Sequence, residues 1–365
     1  GGTPTSLSAK NAARLLQTIK KCLPLANDYE LTLEGRINDV VPEKMDAWFA
    51  NGVNRMSLGV QSFHTKIRRQ LGRLDDRETI LERLRQLKEY NQCALVVDLI
   101  YGLPDQTPEK WQEDLEMLEA APIDGMDLYQ LNVFENSDLN TAIKNGKVSP
   151  AATTREQATM YAQARAFVDT YNYRRLSACH WSRSSRERSL YNSMAKRGYP
   201  MFPLGCGAGG NVGGYATMLH RSLGAYEHMV EAGQKPFMVL MKQSPLQEMA
   251  NIIVDQLEHC YFDLKPLIAY DERLAELKWL FDVWCERGLC EHNGIVYKLT
   301  IAGEFWHVNL TQTTIELAQY LLTGESTMLH ENIAAQNTQG KSSGHPGEMP
   351  KGHPGNIPKD HPGAM

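Results

Sequence analysis

No stretch of this 365-residue chain approaches the 18 or more consecutive apolar residues of a membrane-crossing helix, and no charged segment with an apolar core opens it. Neither a membrane span nor a secretory leader is therefore expected. A basic surplus is also lacking: 38 Lys and Arg stand against 43 Asp and Glu, a net charge of −5, which argues against a nucleic-acid partner. Cysteine is present, but in no pattern that builds a disulfide scaffold. The seven residues, at 22, 93, 179, 206, 260, 285 and 290, are an odd number spread along the chain. The one close pair, Cys285 and Cys290 in "WCERGLC", lacks the Cys-x2-Cys spacing of a zinc site and has no second pair. It reads as two packed thiols near a helix end. Scattered free thiols fit a reducing compartment, so a cytoplasmic location is expected. The Gly-rich run Gly205 to Gly214 contains no Gly-Lys-Ser/Thr and no strand–turn–helix setting, so it is not a nucleotide loop. It remains either a mobile loop or a backbone-lined wall beside a flat ligand.

What is present is an apolar fraction of 42%, ample for a large core, in a length that suits one large domain with an appendage or two domains. Two periodicities alternate in the first part. Helical spacing marks Ser8 to Leu23, "VPEKMDAWFANG", Arg77 to Tyr90 and "PEKWQEDLEMLEAA". Strand-like runs mark Tyr29 to Gly35, Val53 to Phe63, Cys93 to Pro104 and "DGMDLYQLNVF". A β-α-β-α rhythm implies parallel strands with right-handed helical crossovers. The expected fold is α/β, a partial TIM-type barrel, followed by a mostly helical C-terminal domain with a small β wing. Residues 1–150 are assigned to the barrel, 151–240 to an extension, and 241–335 to the helical domain. After Pro150 the pattern predicts a helix over Arg155 to Tyr171, a short strand around Arg175 to Cys179, several helices from Leu219 through Gly288, and a hairpin turning at Asn293-Gly294. From about Gln336 the composition turns to Gly, His, Pro, Ser and Lys, with His345, His353 and His361 repeating every eight residues. A disordered tail, residues 336–365, is expected.

In a parallel barrel, functional groups gather where strands exit into βα loops. Four strands carry a polar residue near that end: Glu34, Gln61, Asp98 and Asn132. A buried polar group without a partner costs about 1 to 3 kcal/mol, so four on one rim point to a polar ligand. Single members can equally cap helices or pair with Arg55, Arg68 or Arg73. Gly1, Gly2 and Thr3 precede the first helix where another strand would exit, and would let a ligand approach the main chain. His180 and Trp181, followed by Arg183, Arg186 and Arg188, combine an imidazole, a stacking face and guanidinium groups. A planar, doubly carboxylated ligand such as a porphyrin would use all three, although a packed His–Trp pair is the plainer reading.

Five blocks, "GGTPTSL", "LTLEGRINDV", "RMSLGVQSF", "RRQLGR" and "VDLIYGLPDQT", resemble in order and spacing the barrel of the oxygen-independent coproporphyrinogen III oxidase-like radical S-adenosylmethionine (SAM) enzymes. "GMDLYQLNVFE", "HWSRSSRERSLYN", "GCGAGGNVGGY" and "LTIAGEFWHVNLTQT" resemble its haem-utilisation branch of anaerobic haem-degrading methyltransferases. The resemblance implies SAM contacts at Gly1, Gly2, Thr3, Glu34, Gln61, Arg73, Asp98 and Asn132, and one at Asn211. It implies haem or a related porphyrin as substrate, held by His180, Trp181, Arg183 and Arg186, and a reduced flavodoxin-type or other flavoprotein electron donor. The implied reaction is radical methyl transfer to haem that opens the ring and releases iron. Decarboxylation of coproporphyrinogen, or haem transfer without turnover, are the alternatives on the same fold.

The family also carries a [4Fe-4S] cluster on a Cys-x3-Cys-x2-Cys loop, and that triad is not in this sequence. The resemblance therefore leads to the expectation that the chain is a fragment lacking the first strand and cluster loop, and is unable on its own to cleave SAM reductively.

Overall fold

A computed structural model describes residues 3–325; Gly1, Gly2 and the His-Pro-Gly tail lie outside the described residues. Four strands form where the two-residue alternation predicts: β1 (Thr32–Gly35), β2 (Arg55–Gln61), β3 (Ala94–Tyr101) and β4 (Gly125–Gln130). They lie parallel and in chain order, with Leu33 beside Met56, Met56 beside Leu95 and Val97 beside Met126. Helices Pro42–Ala50, Arg77–Tyr90 and Pro108–Ala120 make the crossovers, and Ala9–Cys22 leads into β1. Three of the four starts are fixed by side-chain caps, Ser8, Asp76 and Thr107 accepting hydrogen bonds from the amides of Asn11, Thr79 and Lys110, and the fourth opens on Pro42. Each such cap is worth about 1 kcal/mol.

Two short strands, β5 (Arg174–Arg175) and β6 (His180–Ser182), complete a six-stranded sheet in the order β1-β2-β3-β4-β6-β5. Both β4–β6 and β5–β6 pair antiparallel. The strand expected over Arg175 to Cys179 is thus corrected. The chain turns there, with the amides of Leu176 and Ser177 both donating to the His180 carbonyl, and the strand proper begins at His180.

Strand alternation divides the sheet into two unlike faces. Leu33, Met56, Leu58, Val60, Leu95, Val97, Leu99, Met126, Leu128 and Trp181 point to the helices and join one buried core with Trp48, Trp111 and Phe167. The opposite face carries Thr32, Glu34, Arg55, Ser57, Gly59, Asp98, Asp127, Tyr129 and His180, by the same register. A closed TIM barrel fills this inner face with branched apolar side chains. Here it is polar, and a cavity stands in place of the packing.

From Gly209 on, the Gly-rich segment is not a loop. It forms β7 (Gly209–Val212), which turns at Gly213-Gly214 into β8 (Tyr215–Leu219), and β9 (Phe237–Lys242) adds to the other side of β8. Both turn glycines have positive φ, +59° and +80°, the requirement of a two-residue hairpin turn. The all-helical reading of Leu219 through Gly288 is corrected at β9, whose Met and Leu residues hide a strand under helix-favouring composition.

A second core gathers helices Gln247–Glu258, Leu277–Glu286 and His307–Thr323 around Phe262, Phe281 and Tyr297. Its wing consists of β10 (Tyr261–Phe262), β11 (Cys290–His292) and β12 (Tyr297–Leu299). The expected turn is present: the Asn293 side-chain oxygen accepts from the amides of Ile295 and Val296. The two cores meet at Glu304, whose carboxylate pairs with Arg165 at 2.7 Å and Arg175 at 2.8 Å and accepts from Tyr161 at 3.0 Å.

Candidate functional site

The polar face of the sheet encloses a cavity of about 450 Å³. Its wall comprises Thr32 and Glu34 from β1, Arg55 and Ser57 from β2, Asp98 from β3, and Asp127 and Tyr129 from β4. Pro4 and the helix-borne Tyr191 and Asn192 close it. Asp98 and Asp127 are register neighbours on adjacent strands. The Ser57 hydroxyl donates to Asp98 Oδ1 at 2.8 Å. Burial, then the Asp127 charge, push the Asp98 carboxyl up to about 7, against the Ser57 bond and Arg55, which lower it.

Behind this wall lies a chain of alternating charges. Arg55 Nε donates to both oxygens of Glu187, at 3.1 and 3.0 Å. His180 lies between Glu187 Oε1, 3.3 Å from Nε2, and Asp127 Oδ1, 3.0 Å from Nδ1. Neither ring nitrogen is aligned for a full hydrogen bond, so these contacts are ion pairs. Burial opposes the imidazolium but the two carboxylates outweigh it, raising His180 to about 9. Glu187 is held below its ordinary range; burial would raise it, and His180 and Arg55 together prevail. Gly125 makes room for this cluster, since a Cβ there would stand 2.7 Å from Glu187 Cγ.

Among the residues expected on the rim, Glu34 and Asp98 line the cavity. Gln61 ends β2 with a left-handed backbone, φ 71°, at an irregularity in the β2–β3 pairing. Its side chain folds back over Gly59, the register neighbour of Asp98; a Cβ on Gly59 would lie 2.5 Å from Gln61 Nε2. The Gln61 Oε1 atom is buried without a hydrogen-bond partner. Arg73 donates to the Gly59 carbonyl at 2.7 Å and faces a small cleft with Arg36 and Asp75. Burial and the charge of Arg36 lower its pKa, against Asp98 and Asp75. Asn132 is exposed just beyond β4, on the same rim but off the cavity wall. Thr3 borders a neighbouring, mostly apolar cleft with Leu15, Ile19 and Leu204. Asn211 lies on β7, its side-chain oxygen accepting from the Met201 amide at 2.9 Å, and it does not reach the cavity. Gly1 and Gly2 are outside the described residues.

The substrate set needs correction. His180 and Trp181 are consecutive in a strand and so point to opposite faces; both are buried, at 2% and 1% exposure. His180 is enclosed by carboxylates and Trp181 by the helix-side core, so neither presents a face to a porphyrin. Arg183 and Arg186 lie at the opposite rim, where strands begin. Arg183 donates to the carbonyls of Glu119 and Ala121, and Arg186 to the side chain of Asn91 and the carbonyl of Cys93. Tyr191 and Asn192, a few residues on, do reach the cavity. Arg55 lines the cavity itself, and Ser57, Asp127 and Tyr129 join it from positions inside the strands rather than at their exits, where strand position alone does not point to them. The two-residue alternation of polar side chains along β2 and β4 is the signal that finds them.

This donor set fits SAM: carboxylates for a cation and for hydroxyl groups, and an orphaned amide oxygen nearby. It does not fit an iron–sulfur cluster. Among the described residues, no group of three or more His, Cys, Asp or Glu could hold a metal ion.

Comparison with known proteins agrees with this architecture. Residues 1–118 match the Radical SAM superfamily. The chain is 37% identical over 322 residues to an anaerobilin synthase of Escherichia coli O157:H7, covering 88% of this chain and 72% of that protein. It is 24% identical over 348 residues to an oxygen-independent coproporphyrinogen III oxidase of Helicobacter pylori, covering 89% and 74%. The solved coproporphyrinogen III oxidase of Escherichia coli superposes with a TM-score of 0.73 at 19% identity, covering 86% of this chain and 76% of that one, a likeness of fold. The fold is shared across that match, and with the 37% identity over most of both chains the chain belongs to the radical SAM superfamily, in the oxygen-independent coproporphyrinogen III oxidase-like family and its haem-utilisation branch.

Proposed function

We propose that this chain supplies the SAM- and tetrapyrrole-handling part of a radical SAM enzyme of anaerobic haem degradation. The observation that carries the reading is the carboxylate-walled cavity on the inner face of the sheet, in a chain 37% identical to an anaerobilin synthase; the buried, unpartnered Gln61 oxygen at the end of the neighbouring strand supports it. Bound SAM supplies the carbon radical chemistry that the superfamily name denotes. The remaining work belongs to this chain's residues. Glu34 and Asp98 take the cationic and hydroxyl-bearing parts of SAM, the Gln61 oxygen gains the donor it lacks, and Arg73 stands where it can pair with a carboxylate. Asn132 and the first residues of the chain complete the rim. Tyr129 and Tyr191 narrow the opening and exclude water from the bound ligand.

Methyl transfer to haem, ring opening and iron release, with electrons from a reduced flavodoxin-type or other flavoprotein donor, are the finer steps of this reading. The sequence does not contain the cysteine triad that would hold the cluster and pass the electron to SAM, so the part proposed for these residues is to bind and orient the ligands. Titration of the chain with SAM by calorimetry, and with haem and coproporphyrinogen III by absorbance, tests the proposal. SAM binds and haem gives a saturable Soret shift; Asp98→Ala with Gln61→Ala lowers SAM affinity at least tenfold and leaves the haem shift in place. Saturable binding of coproporphyrinogen without binding of haem moves the reading to decarboxylation. Equal SAM affinity in the double variant removes SAM from this cavity.

A further inference from the structure

The cavity has more carboxylates than cations to balance them. Glu34, Asp98 and Asp127 line it, and Arg55 is the one cation on its wall. Arg55 is committed to Glu187 through both carboxylate oxygens, and His180 is shared between Glu187 and Asp127. The pairs Arg55–Glu187 and His180–Asp127 are therefore closed, and Asp98 faces Asp127 across one strand spacing with only the Ser57 hydroxyl as partner. A second carboxylate one strand spacing away, in a part-buried site, favours retention of a proton on Asp98. His180 is fixed beside Asp127 and offers Asp98 no compensating charge. Close by, the side chain of Gln61, whose oxygen is buried without a partner, folds its nitrogen over Gly59, the register neighbour of Asp98.

We infer that the cavity exchanges a proton for its ligand: an organic cation entering beside the Asp98–Asp127 pair replaces the proton held there, which leaves to solvent. Charge balances in the step, one cation entering as one proton departs, and no bond to carbon forms or breaks. The inference rests on the reading of the cavity as the site of SAM, a sulfonium. The groups that face Asp98 are Glu34 from β1, Arg55 and Ser57 from β2, Asp127 and Tyr129 from β4, and Arg73 from the turn after the short helix Thr65–Gln70. His180 and Glu187 stand behind Asp127. Burial and the neighbouring Asp127 push the Tyr129 phenol up, and His180 is raised to about 9, so neither changes charge near neutrality.

The test is calorimetric titration with SAM at pH 6 and 7 in buffers of different ionisation enthalpy, where the dependence of heat on buffer counts protons. The expected release is about 0.9 proton at pH 6 and about 0.5 at pH 7, with affinity rising about fivefold between them. In Asp98→Asn the count falls to zero. A second arm follows the carboxyl carbons of the protein by NMR, with the Asp98 signal assigned from the same variant, alone and with SAM or trimethylsulfonium. A downward move of the Asp98 titration with either cation supports the exchange. If SAM fails to bind while trimethylsulfonium moves that titration, the SAM reading falls and the exchange stands. Binding of SAM with no proton count, retention of the count in Asp98→Asn, or an Asp98 titration unmoved by both cations overturns the inference.

Discussion

Replacement of His180 by Gln separates the electrostatic part of the inner network from its packing. The imidazole lies 2% exposed between two carboxylates, which hold its pKa at about 9 against an ordinary 6.5 despite burial. A group raised in the folded state contributes its full stabilisation below pH 6.5, where folded and unfolded chains both carry the proton. As the pH rises, the unfolded chain gives up the proton first. Stability then falls by up to about 1.4 kcal/mol per pH unit, until the folded imidazolium itself titrates. Between pH 5.5 and 8.5 the loss from His180 comes to about 2.5 kcal/mol. Gln is close in size and does not titrate, so it is destabilised at pH 5.5 but lacks this slope. Asp98, raised to about 7, also loses its stabilising share as the pH climbs to that value, and to first order this cancels between the two proteins. The assay is equilibrium urea unfolding at each pH, read from the emission of Trp48, Trp111 and Trp181, all buried in the first core. The gap between wild type and His180→Gln narrows by about 2.5 kcal/mol from pH 5.5 to 8.5. Parallel curves over that range refute the account of His180 as a buried, doubly paired imidazolium.

Two glycines give sharper steric tests. Gly59→Ala places a methyl group 2.5 Å from Gln61 Nε2, the movable end of a side chain, so the fold yields at a cost of about 1 kcal/mol while Gln61 is displaced. SAM affinity measured by calorimetry drops at least fivefold, and unchanged affinity separates Gln61 from the ligand. Gly303→Ala, in the helix Ile301–Phe305, drives its Cβ into the Leu289 carbonyl, which is backbone and cannot step aside. The second core loses about 3 kcal/mol or more, read as the unfolding transition reported by Trp284, and a loss below 1 kcal/mol refutes that packing.

The extent to which the sequence announced this structure depends on whether a segment's role was local. Helices such as Arg77–Tyr90 carry their own caps and their own stripe, Ile80, Leu84 and Leu87, so periodicity places both ends. The parallel strands β2 and β3 were equally readable, because one face packs continuously against helices. β5, β6 and β9 were not. The first two are two and three residues long; β6 exists because β4 offers it an edge and β5 because β6 does in turn, and β9 consists of Phe, Met, Val, Leu and a Lys that a helix would accept as readily.

The same distinction sorts the site. Glu34 and Asp98 stood out because a carboxylate interrupts an apolar strand. His180 stood out as well, for the wrong reason. An imidazole beside Trp181 in the linear sequence suggested one composite face, yet in a strand adjacent residues diverge, and what His180 meets is set by residues 53 positions before it and 7 after it, Asp127 and Glu187. No local pattern contains that pairing. The cost of an unpaired buried charge does contain it in general form: a histidine that a strand carries into a polar interior must find carboxylates there, and the carboxylates it finds lose their freedom to bind anything else. In the proposed site the carboxylates left over are Glu34 and Asp98, and the network that looked like a substrate site governs which acids are free to meet a ligand.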